Sequence, residues 1–477
     1  MTISNLIFLI EAINSNSIET QTPLDVVDQM INNIPIEYFS NPNIKFLDPC
    51  CGTGKFLLRI IEKLDVGLID VITDPKVRRR HILENQIWAF DISEVQIMIF
   101  KSAISRLNWS VNEETINYNI YNCDFINLKQ GNNMKFDVII GNPPYQDDNK
   151  EKGENGRKQS SSKIWPIFCK KSINDFLKDN GHLLFIIPAS SLKGTRLTGF
   201  NFKKTFGDYL GKKITIGTDS WFENISTKNI FFHLQKTKRN NLNDLIEIEY
   251  YNKNMELEHN INIKAKDFIE EISFIPMKYS KSCNVLNIVS KVFNSKYENL
   301  FNEGCGGISA KKEIDKNIDI DLINGEVYLG GGNIGANSII IKKALSDANI
   351  LQTKEKNKRG YNIKKLIWPV GCADNPIFHA DFNGNLIVGT SASFTCLESN
   401  WTLEGMKSVL RSKLFVFLIR DLRFDAYVNH MDYLPKVDMS KVYTDDEVCD
   451  LFNLSIDEKK YINSIATEKS VGRKKKK

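Results

Sequence analysis

Several things are missing from this sequence. No apolar run in its 477 residues is long enough to cross a membrane, which excludes a helical membrane protein. The opening stretch from Met1 to Ile10 is apolar but has no basic start and is broken by Glu11, so it predicts an amphipathic helix rather than a secretion signal. The nine cysteines show no paired CxxC spacing, and none stands near a histidine in a zinc-finger arrangement. A disulfide scaffold and a structural zinc site are therefore excluded, and free thiols in a reducing, cytoplasmic compartment are expected. Charge of one sign is lacking too: 63 basic residues nearly balance 58 acidic ones. Basic residues are grouped at Lys76 to Arg80, at Lys354 to Arg359 and in the tail Arg473 to Lys477. Taken singly, each group reads as a solvated face or a disordered tail.

What is present is an alternation of strand-like and helix-like segments through the first half, the pattern of a sheet with crossover helices. Lys45 to Asp48 reads as a strand and Gly54 to Leu64 as the helix after it. Ile87 to Asp91 is a second strand, with Ser93 capping a helix that reaches Leu107. A third strand is expected to end at Asp124. Phe136 to Gly141, almost wholly apolar, predicts a strand covered on both faces. Gln146 to Ser162 is too polar for core and predicts a loop. A helix over Lys163 to Leu177 then leads through the Asn180-Gly181 turn into a strand from His182 to Ile187. Stretches near Lys213 to Ile216 and Asn229 to Phe232 are expected to complete the sheet, the alternation dissolving beyond Leu242. The fold class is thus α/β, a Rossmann-like doubly wound sheet. Thr444 to Val448 predicts a capped helix start.

Asp48-Pro49-Cys50-Cys51-Gly52-Thr53-Gly54-Lys55-Phe56 joins the first strand to its helix through a glycine turn. Glycines let backbone approach a ligand, and the first helical N–H groups face it. A phosphate loop would need Ser or Thr after Gly-Lys, where Phe56 stands; a dinucleotide loop would need a third glycine, where Leu57 stands. What remains fits an adenosyl ligand carrying a sulfonium and an amino acid. Asp91, with Ile92 beside it, can accept ribose hydroxyls at the second strand end, and Asp124 with Phe125 can take an adenine amine and ring at the third. No metal is called for.

Asn142-Pro143-Pro144-Tyr145 closes the fourth strand. An amine attached to a planar π-system is a poor nucleophile because its lone pair is delocalised. The Asn142 side-chain carbonyl and the Pro143 backbone carbonyl can accept its two protons and bias the nitrogen toward a tetrahedral shape, while Tyr145 stacks on an extruded base. A Pro-Pro pair alone would only terminate a strand; in this order after the glycine loop it reads as catalytic.

At these residues the chain resembles the gamma-class N6-adenine DNA methyltransferases of restriction–modification systems. The resemblance implies S-adenosylmethionine as cofactor, double-stranded DNA as substrate, and a cognate restriction endonuclease as possible partner. It places Thr22 and Pro23 in the upstream cofactor segment together with Asp48, Pro49, Cys50, Gly52, Gly54, Asp91, Ile92, Asp124, Phe125 and Asn142, and gives Asn142 to Tyr145 the catalytic role. Phe222, next to Trp221, would bring a second aromatic against the flipped base, although two core aromatics beside a strand would look the same. The implied organisation is a catalytic domain over 1–270, a mixed α+β target-recognition domain over 271–432 and a helical closing segment over 433–477. No fused nuclease is expected upstream of the first motif. Release-factor glutamine methylases and some RNA guanine methylases share the catalytic motif but are compact; a DNA-binding module on an inactive methylase fold is the non-enzymatic alternative.

Overall fold

Apolar segments ending in polar residues build the main sheet of this protein, whose computed structural model describes residues 3–14, 21–107, 117–129, 134–146, 163–193, 200–218, 220–222, 228–271, 275–276, 285–298, 300, 363–369, 378–384, 392–421 and 434–471. Nine strands take part: Phe46–Asp48 (β1), Ile87–Asp91 (β2), Asn119–Asn122 (β3), Phe136–Gly141 (β4), Leu177–Pro188 (β5), Tyr209–Gly217 (β6), Asn229–Lys238 (β7), Leu245–Tyr251 (β8) and Leu257–Lys264 (β9). They lie in the order β3-β2-β1-β4-β5-β7-β6-β8-β9. The five strands from β3 to β5 in that order are parallel, and β7 runs antiparallel to both β5 and β6. The order reverses between β1 and β4, which leaves a crevice beyond their C-terminal ends where ligands bind in doubly wound sheets.

Among the described residues seven α-helices belong to this part: Ile3–Asn14 (α1), Leu24–Ile31 (α2), Lys55–Gly67 (α3), Pro75–His81 (α4), Glu94–Arg106 (α5), Trp165–Lys171 (α6) and Phe202–Asp208 (α7). Side chains from α1, α2, α3 and α5 form one buried cluster with Phe46, Val138 and Ile140. Leu47 and Ile139, the alternate residues of β1 and β4, are buried outside that cluster, so both faces of these strands are covered. Ser93 caps α5 by accepting from the Gln96 N–H.

The sheet departs from expectation in three places. β3 ends at Asn122, so Asp124 sits in the turn beyond it. The helix expected to reach Leu177 is α6 followed by one wider turn over Ser172–Phe176, and β5 already begins at Leu177, with Asn180 at φ 63° inside it. The sheet also continues past β7, because Ile246, Ile248 and Tyr250 of β8 are buried while β9 closes the edge with polar residues.

The chain divides into two compact units, Met1–Glu270 and Glu271–Lys477. In the second, the described residues form the helix Val285–Phe293 (α8) and a three-stranded antiparallel sheet of Lys365–Pro369 (β10), His379–Asp381 (β11) and Ala392–Cys396 (β12), in the order β11-β10-β12. Four helices follow: Leu403–Leu410 (α9), Lys413–Val416 (α10), Asp445–Asp450 (α11) and Ile456–Val471 (α12). Thr444 and Glu447 form a full capping box at α11. The glycine clusters at 304–307 and 330–332, the basic groups at 354–359 and 473–477, and nearly all of the polar stretch expected to be a loop lie outside the described residues.

Candidate functional site

The loop after β1 is held by the neighbouring strand ends. Cys51 N–H donates to the Phe90 carbonyl at 2.9 Å, Gly52 N–H to Asp91 Oδ2 at 2.8 Å, and Cys123 N–H to the Asp91 carbonyl at 2.9 Å. The second oxygen of Asp91 accepts the Ser93 N–H at 2.8 Å. Gly52 has φ +52°, and a Cβ there would meet nothing within 4 Å, so the loop presents open space at that point. Gly54, also left-handed, starts α3. Pro49 is buried, and the Thr53 hydroxyl is buried without a hydrogen-bond partner.

Asp48 is buried at the end of β1 and accepts the Cys50 N–H at 3.1 Å. Burial pushes its carboxyl up to about 8; the Cys50 N–H opposes that shift and the Asp91 charge adds to it. Burial, reinforced by Asp48 and Asp91, also holds the Cys50 and Cys51 thiols protonated. Gly141 is needed because a Cβ there would lie 2.7 Å from Asp48 Oδ1.

Asn142 follows at once. Its Nδ2 donates to Thr22 Oγ1 at 3.3 Å, while its Oδ1 is buried with no partner. One of the two Nδ2 protons is thus used, and the atom of this side chain left wholly unsatisfied is its acceptor oxygen. Pro143 is buried and Pro144 exposed. The Tyr145 hydroxyl is buried without a partner, and burial beside Cys50 raises its pKa. The Tyr145 carbonyl accepts the Ile164 N–H at 3.1 Å. Pro23 stands at the N-cap of α2.

The remaining expected residues divide. Ile92 is 66% exposed beside Asp91, an open apolar surface at the strand end. Asp124 accepts from Ile126 N–H and Asn127 Nδ2, so part of its acceptor capacity serves its own turn. Phe125 is 1% exposed and packs among Phe90, Phe168 and Phe176 at ring distances of 5.0 to 6.1 Å, so its ring offers no face to a ligand. Phe222 is 5% exposed and belongs to the core cluster with Trp221 and Phe231, so the structure does not set it open beside Tyr145. Two residues that sequence reasoning did not assign now stand out. Lys55 Nζ donates to the Thr22 carbonyl at 3.2 Å and pairs with Glu11 at 2.9 Å. The signal was a buried-side lysine at a glycine loop that lacks the phosphate-loop pattern, and an acid interrupting an apolar helix.

Among the described residues no group of three His, Cys, Asp or Glu is placed to hold a metal, and no helix is long and apolar enough to cross a membrane. The basic group at Lys76 to Arg80 forms α4, where Arg78 and Arg79 pair with Asp65 and Arg80 pairs with Glu84. It is therefore largely internal ion pairing rather than an open basic patch.

A doubly wound sheet with two strands, β7 and β9, running against the others, and a crevice beyond β1, β2 and β4 that carries Asp48, Asp91 and Asn142, defines a Rossmann-like methyltransferase fold. Residues 73–222 match the Eco57I restriction-modification methylase family. The chain is 24% identical over 252 residues to an uncharacterized adenine-specific methylase of Mycoplasma pneumoniae, covering 39% of this chain and 58% of that one. It is 30% identical over 156 residues to the modification methylase CviBIII of Paramecium bursaria Chlorella virus NC1A, covering 32% and 33%. Among solved structures, a nuclease-deletion mutant of the Type ISP restriction-modification enzyme LlaGI is similar over 98% of this chain and 48% of that one, with a TM-score of 0.49 and 11% identity. The chain thus spans 58% of the length of the first curated relative and a third of the second.

Proposed function

We propose that this chain is a site-specific DNA methyltransferase that transfers a methyl group from S-adenosylmethionine to the N6 amine of adenine in double-stranded DNA, within a restriction–modification system. The observation that carries the reading is the buried, unpartnered Oδ1 of Asn142 at the mouth of β4, with its Nδ2 already bonded to Thr22.

The cofactor fits the residues present. Asp48 offers a buried acid to an ammonium, Gly52 an open cradle, Asp91 acceptors for a ribose diol, and Ile92 an apolar surface for a ring. When bound, S-adenosylmethionine supplies an electrophilic methyl on a sulfonium. Asn142 Oδ1 and the Pro143 carbonyl take the two amine protons in hydrogen bonds and so localise the nitrogen lone pair. Proline contributes no competing N–H. The Tyr145 ring, anchored by its backbone at Ile164, supports the base. The sulfonium group, when bound, would supply the methyl and leave as a neutral thioether, while the Asn142 and Pro143 carbonyls would hold the amine protons until one passes to water. Residues 271–432 are assigned to target recognition and 433–477 to the closing segment.

Incubation of the full chain with tritiated S-adenosylmethionine and separate pools of unmethylated DNA, RNA and protein tests this. Label is expected in DNA, at N6-methyladenine. Label in RNA or protein with none in DNA overturns the reading. Asn142→Ala is expected to lower transfer by about 10²-fold or more while cofactor binding persists.

A further inference from the structure

Lys55 stands where a phosphate loop would aim its lysine at a ligand, directly after Gly54 at the start of α3. Here the ammonium is turned to the protein instead. The side chain is buried, and Nζ donates to the Thr22 carbonyl at 3.2 Å and to Glu11 Oε1 at 2.9 Å. An ammonium only donates, and a backbone carbonyl only accepts, so the bond to Thr22 has one sense. Glu11 departs from the pattern of its own helix: Ile3, Leu6, Ile7 and Ile10 form the buried stripe of α1, and Glu11 comes one turn after Ile7. The lysine it meets accounts for a carboxylate at that place. Thr22 is buried just before Pro23 and α2, and its Oγ1 lies 3.3 Å from Asn142 Nδ2, so the segment it belongs to reaches the end of β4. One ammonium thus joins three pieces of chain: α1, the segment before α2, and the helix that follows the glycine loop.

We propose that Lys55 is a positioning residue for cofactor binding: it clamps the Thr22-Pro23 segment to the helix of the glycine loop and so fixes the gap that S-adenosylmethionine enters. This rests on the methyl-transfer reading above. The clamp acts on backbone, through the Thr22 carbonyl, and takes no part in the chemistry at Asn142. Walls fixed before binding spare the ligand the cost of ordering them. Without the ammonium the Thr22 carbonyl loses its lysine donor, and the segment must be ordered again by each cofactor that binds.

Lys55→Met keeps the stem of the side chain and removes the ammonium; pairing it with Glu11→Gln avoids a stranded carboxylate. In the full chain, calorimetry is expected to show S-adenosylhomocysteine bound about 10- to 30-fold more weakly by the double variant. The KM for S-adenosylmethionine in methylation of unmethylated genomic DNA is expected to rise by a like factor, while the single-turnover rate at saturating cofactor stays within about threefold of wild type. Glu11→Gln alone, which leaves the bond to Thr22, is expected to weaken binding only about threefold. The proposal is overturned if the double variant binds like wild type, if its saturated rate falls in step with its affinity, or if Glu11→Gln alone weakens binding as much as the two changes together. Lys55→Gln with Glu11→Gln takes the same role should the first pair not fold. A wild-type chain that neither binds S-adenosylhomocysteine nor labels DNA defeats the methyl-transfer reading itself; one that does both, beside an unchanged double variant, defeats only the clamp.

Discussion

Asp48 is a carboxyl held where its charged form is disfavoured. Its ordinary value is 3.8 and its folded value about 8, so the folded protein keeps a proton that the unfolded chain releases. The stability associated with this group is complete below 3.8 and is lost as the pH rises toward 8. Asp48→Asn, of the same shape and without the charge, is expected to melt several degrees higher than wild type at pH 8 and to match it at pH 4, while binding S-adenosylhomocysteine more weakly. Thermal unfolding at the two pH values decides; identical pH slopes in the two proteins would remove Asp48 as the source. The residues of greatest consequence at this scale were legible in unequal degree. Asn142, Asp48 and Asp91 stand at strand ends in a recognisable order. Thr22 bonds to Lys55 and to Asn142 across 33 and 120 residues of sequence, and no local pattern encodes such a distance. Phe125 and Phe222 show the converse: an aromatic next to a strand end looks alike in sequence whether it lines a crevice or fills a core.

Strands β5 and β7 are joined by more than their ladder. His182 Nδ1 and His233 Nε2 lie 2.8 Å apart, and Tyr38 meets His182 edge-on. Burial lowers His182 to about 4, with Lys212 adding to the shift, and lowers His233 to about 3, with His182 adding. Both rings are neutral in the fold, whereas the unfolded chain takes up protons near 6.5. Stability from the pair is therefore full above 6.5 and is lost as the pH falls from 6.5 toward about 3. The double variant His182→Phe with His233→Leu is expected to flatten the melting curve against pH across that interval; a slope equal to wild type would place its origin elsewhere. Element by element, β1, β2 and β4 were legible because runs buried on both faces are apolar throughout. β8 and β9 were missed although Ile246-Glu247-Ile248-Glu249-Tyr250 and His259-Asn260-Ile261-Asn262-Ile263 both have a period of two, because no helix separates them and the strand–helix alternation that marked the earlier strands has ended. The end of β5 nearest Leu177 was hidden by Asn180-Gly181, which reads as a turn and is built as an irregularity in the β4 pairing.

At the scale of the molecule, the two compact units invite separation. Residues 1–270 alone are expected to fold and bind S-adenosylhomocysteine, because every contact described around Asp48, Asp91 and Asn142 lies within them, while losing sequence-selective methylation of DNA. Calorimetry and mapping of N6-methyladenine along a long duplex would check both halves; retained site selectivity would show that recognition does not reside in 271–432. The second unit is where sequence gave least, since its short strands, β10 to β12, are separated by long intervals and carry no repeating pattern. The charge total was equally silent, and α4 shows why: three arginines that look like a surface for a polyanion are held by Asp65 and Glu84.

The bonds tying Cys51, Gly52 and Cys123 to Phe90 and Asp91 make three successive strand-end loops a single framework before any ligand arrives. A ligand entering such a framework meets a surface whose entropy was surrendered during folding, so little of its binding energy is diverted into arranging backbone. The same coupling constrains change: lengthening any one of the three loops would disturb the other two.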